Sequence, residues 1–148
     1  MKNLFDAAAV EEIRERMAQL EPDSERQWGT MQPAQALAHL SAQFEMIAGM
    51  NFPPRSMAGR VFGRLAKSVV LNDEPLRRNM PTDKDLVVCD DRDLNAERQR
   101  LHKMIDGFAC NPAGCTRHPH SFFGRLTPDE WARLMYKHLD HHLRQFGV

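Results

Sequence analysis

The sequence predicts an all-helical protein, a four-helix bundle, on three observations. Four long stretches carry apolar side chains at helical spacing. Strand-type alternation is nearly absent. Pro, Gly and small polar residues mark the starts and stops of those stretches. The 148 residues suffice for one domain over 1–148 with one hydrophobic core.

The first helix is expected from about Asn3 to Leu20. There Val10, Ile13, Met17 and Leu20 recur on one face and Glu11, Glu12, Arg14 and Arg16 turn away. Glu21-Pro22-Asp23-Ser24 ends it. The second is expected from Thr30, as N-cap, to Met50. Pro33 falls in its first turn, Leu37, Leu40, Phe44 and Ile47 form its stripe, and Gly49, Pro53 and Pro54 close it. A weaker helix over Gly59 to Val70 has Val61, Phe62, Leu65 and Val69 as its apolar face. Asn72 to Asp91 reads as a long surface excursion, with a short extended piece at Leu86-Val87-Val88. Its length suggests a lid or docking segment. The third main helix runs from Leu94 to Phe108, with Leu94, Leu101, Ile105 and Phe108 on one face. The fourth runs from Thr127 to Phe146. Thr127 caps it, Pro128 opens it, Glu130 completes a capping box, and Gly147 ends it.

Twenty Lys and Arg balance twenty Asp and Glu, so no global field draws the chain to nucleic acid or an anionic membrane. No apolar run approaches the roughly 20 residues of a membrane span, and residues 1–9 lack the apolar core of a signal peptide. A cytoplasmic location is expected. Three cysteines, Cys89, Cys110 and Cys115, suit a reducing compartment better than a disulfide scaffold.

The chemistry concentrates in Tyr136-Lys137-His138-Leu139-Asp140-His141-His142. His138 and His142 stand four apart, so on a helix their side chains project from one face about 5–6 Å apart. At 100° per residue they share an inward stripe with Trp131, Met135 and Phe146, opposite Arg133, Lys137, Asp140 and Arg144. Two inward imidazoles would repel if both were charged, whereas a metal ion needs them neutral and takes up their lone pairs. The competing reading is a pair of helix-flank histidines bonded to backbone or water. His39 is the leading third ligand, although it lies beside the stripe of its helix rather than at its centre.

Two segments carry a family resemblance. Trp28-Gly29-Thr30-Met31-Gln32-Pro33-Ala34-Gln35-Ala36-Leu37-Ala38-His39-Leu40 resembles the second-helix start of the DinB-like superfamily. Phe123-Gly124-Arg125-Leu126-Thr127-Pro128-Asp129-Glu130-Trp131, followed by His138 through Gly147, resembles the fourth-helix signature of one uncharacterised branch of it. The resemblance implies an up-down-down-up bundle, often a homodimer. It implies one divalent ion, zinc or nickel foremost, held by His39, His138 and His142. Members include thiol-dependent transferases, which implies activation of water or a low-molecular-weight thiol. On that reading Trp28, Phe122 and Trp131 wall the pocket of a small-molecule substrate. His118 and His120, in a loop with residues beyond the family pattern, are candidates for a fourth ligand or proton shuttle. The alternatives are a non-catalytic metal- or ligand-binding module, stress-related, and a metal-free helical dimer with structural histidines. A separate zinc knuckle from Cys110, Cys115, His118 and His120 is a rival cluster, because soft ligands fall there at metal-site spacing.

Overall fold

A computed structural model describes residues 2–50, 54–80, 86–116 and 118–148, apart from the side chains of Cys115 and Thr116. Among the described residues five α-helices follow one another: α1 Ala7–Ala18, α2 Pro33–Ala48, α3 Met57–Val70, α4 Leu94–Cys110 and α5 Pro128–Gln145. A short 3-10 helix, Pro112–Thr116, follows α4. No strand occurs among the described residues. The one β-type contact there is an isolated antiparallel bridge between His120 and Gly124. Leu86-Val87-Val88 forms no extended segment, and Leu86 turns inward instead.

Local chemistry explains the helix boundaries. Asp6 accepts from the Ala8 N–H at the start of α1, and Asp93 accepts from the Ala96 N–H at the start of α4. At α2 the cap is Gln32, not Thr30. Pro33 occupies the first helical position, so the cap must directly precede it, and Gln35 Oε1 accepts from the Gln32 N–H at 2.9 Å. Gly49 closes α2 with φ 80°, a backbone state that costs a glycine little. The α5 start follows the sequence reading: Thr127 Oγ1 accepts from the Glu130 N–H and Glu130 Oε2 accepts from the Thr127 N–H.

Helices α1, α2, α4 and α5 pack on one another, with α2 lying along α4. Ile13, Met17, Leu37, Leu40, Leu101, Ile105, Trp131, Met135, Leu139 and Leu143 fill the space between them. This core accounts for the apolar stripes predicted on the four main helices.

Helix α3 departs from expectation. Its apolar face points out, and Met57, Val61, Phe62, Leu65 and Val69 are 58 to 75% exposed. The inward edge carries Gly59 and Gly63 instead. A Cβ on Gly63 would stand 2.2 Å from the Phe122 carbonyl oxygen, so the helix backbone rests directly on residues 122–123. Each large side chain left in water forgoes about 1.5–3 kcal/mol relative to full burial. Lys137 also differs from expectation. It was placed on the solvent side of α5, yet it is buried, and its ammonium donates to the carbonyls of Val70 and Asn72. The segment after α3 folds over that side of α5, and the lysine satisfies carbonyls that the helix end leaves open.

Candidate metal centre

Helix α2 contributes His39 and α5 contributes His138 and His142, so a cross-helix cluster forms where the two helices meet. His39 and His142 are buried and His138 is half-buried. The Nε2 atom of His138 lies 3.2 Å from His39 Nε2 and 3.2 Å from His142 Nε2. All three ligating atoms fall within 4.8 Å of one another, and these three residues form the only such group of possible ligands among the described residues.

Surrounding hydrogen bonds fix the ring tautomers. His39 Nδ1 lies 2.7 Å from the Leu86 carbonyl, which can only accept, so the proton sits on Nδ1. Gln145 Nε2 donates to the Trp28 carbonyl at 2.8 Å, which leaves Gln145 Oε1 to accept from His142 Nδ1 at 2.9 Å. Neutral His39 and His142 therefore both present an Nε2 lone pair to the centre. His138 Nε2 carries at most one proton and can satisfy one of the two. A cation satisfies all three, and the spacing fits it. Two nitrogens each roughly 2.0–2.1 Å from a tetrahedral ion stand roughly 3.3–3.4 Å apart.

Protonation does not relieve this crowding. Burial drives the His138 pKa well below the usual imidazole range, with further depression from His142, His39, His141 and His120. Burial, followed by the proximity of His39, pushes His142 down to about 3. His39 is lowered by burial too, partly offset by its bond to Leu86. The site is thus held as neutral imidazoles, the form that binds metal.

Other side chains singled out in the sequence surround the triad at varying distance. The Trp28 ring stands 5.5 Å from that of His141, which in turn is 5.2 Å from His142. Arg78 lies over the Trp28 ring, 4.3 Å from its centroid. His120 stacks between Phe123 and Trp131, and its Nδ1 accepts from the N–H groups of Phe122 and Phe123. That contact orders the loop, and His120 is among the neighbours that lower the His138 pKa. The indole N–H groups of Trp28 and Trp131 are both buried without an acceptor among the described residues. Phe122 packs edge-on against Phe123 and offers its backbone to α3. His118 is half-buried and does not join the cluster. Cys110 is an exposed free thiol. The Cys115 side chain lies outside the described residues, and with it the proposed knuckle.

Sequence reasoning missed Leu86 and Gln145, the two groups that orient the ligand rings. Gln145 sits three residues after His142 on one helix and was reachable by spacing. Leu86 is separated by 47 positions from His39, and no periodicity relates them.

No helix among the described residues is long and apolar enough to cross a membrane. No curated protein and no solved structure matches the chain. A family model described as "Protein of unknown function (DUF1569)" matches residues 2–147. With that match spanning nearly every residue, and the histidine cluster inside it, the chain belongs to the DUF1569 family.

Proposed function

We propose that this protein binds one divalent metal ion, zinc or nickel, through the Nε2 atoms of His39, His138 and His142, on a DinB-like up-down-down-up scaffold. The observation that carries the proposal is the convergence of three imidazole nitrogens whose tautomers are set from behind by Leu86 and Gln145. Such backing from backbone and amide oxygens is what metal-ligating histidines require.

A three-histidine set leaves one position open, where a bound ion acidifies water or a low-molecular-weight thiol for attack on a small electrophile. The chain's own part is to hold three rings neutral, in one orientation, in a poorly solvated place. Trp28 stands one ring away, against His141, which packs on His142. A metal-dependent S-transferase or hydrolase activity is the reading favoured here over a purely sequestering module, because nothing among the described residues supplies a fourth ligand to close the site.

Metal content measured by mass spectrometry on protein purified without an affinity tag tests the site. The wild type is expected to hold close to one ion per chain, and a His138→Ala/His142→Ala variant less than about a tenth of that. A wild type that arrives empty and refuses added zinc and nickel would sink the proposal. Thiol-transfer and hydrolysis screens with the loaded protein then separate enzyme from sequestering module.

A further inference from the structure

We infer that α3 docks the protein on an anionic lipid surface, its apolar arc entering the acyl boundary and Arg60 and Arg64 meeting the lipid phosphates. The inference is independent of the metal site.

Met57, Val61, Phe62, Leu65 and Val69 lie on one arc of α3, and each is more than half exposed. They stand on the crest of a 14-residue helix, so the arc runs about 20 Å along the surface. The opposite edge of the helix is already committed, since Gly59 and Gly63 press on the Phe122 carbonyl and Lys137 holds the Val70 and Asn72 carbonyls. The apolar arc is therefore fixed outward and cannot roll into the core.

Charge names the partner. No acid occurs from Met46 through Asn72, a span that carries Arg55, Arg60, Arg64 and Lys67. The balanced total of the chain hides this local excess. Arg60 and Arg64 stand four apart, so they project one turn from each other along one flank of the arc, and both are exposed. Neither has an ion pair among the described residues, whereas Lys67 is engaged with Glu130 at 2.7 Å. The guanidinium of Arg55 lies against Gly124. Asp73 and Glu74 follow the helix, but they attend Lys137. Burial lowers the pKa of that lysine and the two acids raise it, which sets them on the α5 side, away from the arc.

A second copy does not answer this pattern. Face-to-face pairing about a twofold brings the arginine flanks of both copies to the same edge, where they repel. An anionic bilayer supplies both halves of what the face lacks. Its acyl boundary takes the apolar crest of a helix lying flat, and the long arginine stems carry their charge up to the headgroups. Each such cation near the surface strengthens binding about fivefold.

Flotation of the full chain with vesicles tests this. The protein is expected to float with phosphatidylcholine vesicles containing about one part in four phosphatidylglycerol and to stay behind with phosphatidylcholine alone. Leu65→Glu should weaken binding to the mixed vesicles at least about tenfold and leave the helical circular dichroism unchanged, because the side chain is exposed. Arg60→Gln/Arg64→Gln, which leaves the apolar arc intact, should also weaken it at least about tenfold. A wild type that stays behind with the mixed vesicles, that floats equally with neutral ones, or whose flotation survives Leu65→Glu overturns the inference. So does sedimentation velocity that shows a pair of chains split by Leu65→Glu, which would assign the face to a second copy.

Discussion

Helices α5 and α3 invert one another. Helix α5 turns the His142 imidazole and the Lys137 ammonium away from solvent, while α3 turns five large apolar side chains toward it. Both arrangements work against the transfer free energies that build the rest of the core. On α5 the cost is offset locally, because His142 and Lys137 both find hydrogen-bond partners. On α3 nothing among the described residues offsets it. A buried polar cluster with its back fully bonded and its front converging points to a ligand inside. An exposed apolar arc on a rigidly held helix points to a partner outside.

Three perturbations sharpen this contrast. The largest effect is expected at Gln145, which orients His142 from behind the proposed ion site. Gln145→Ala should weaken metal binding about 10–100-fold in a chelator competition, and Gln145→Glu, which keeps an acceptor for His142 Nδ1, should recover most of it. Equal loss in both variants would show that the amide acts only through its bond to Trp28.

Next comes the acid stability of the metal-free protein. His142 is held near 3 when folded against an ordinary value of 6.5, so below 6.5 the unfolded chain binds more protons than the folded one. The stability from neutral burial is thus complete above about pH 6.5 and drains away as pH falls toward 3. His39 and His138 are depressed in the same direction and add to the trend. Melting temperature against pH should slope upward through this window, and His142→Leu should flatten the slope. A melting temperature that holds constant from pH 6.5 down to 4 would contradict the buried, neutral triad.

The smallest effect concerns the seat of α3. Gly63→Ala forces a Cβ into the Phe122 carbonyl and should cost about 1–3 kcal/mol in a denaturant melt. Substitutions on the outward arc, such as Val61→Thr, should stay within about 0.5 kcal/mol for the monomer. If both behave alike, α3 is not seated as described.

What the sequence revealed follows the same division. Periodicity on α5 placed His138 and His142 on an inward stripe, because Trp131, Met135 and Phe146 mark that face. His39 was named through a resemblance, since on α2 it stands beside the stripe, and only the packing of α2 against α5 shows it buried. On α3 the same arithmetic found the apolar arc and left open which way it faces. A helical period identifies a face but not what lies opposite. The Gly59 and Gly63 pair, four residues apart, was the available sign of a close approach on the other edge. Lys137 misled for a related reason: its burial comes from residues 70–72 folding over α5, a contact invisible to the helix's own pattern.

The aromatic surroundings of the triad carry an optical consequence. The chain's two tryptophans, Trp28 and Trp131, stand against His141 and His120, histidines that neighbour the triad. Imidazole sites accept both closed-shell zinc and open-shell ions such as nickel or copper. In the proposed site an open-shell ion would quench indoles within its reach, whereas zinc would leave them bright. Tryptophan emission would then serve as a gauge of the bound ion that needs no label.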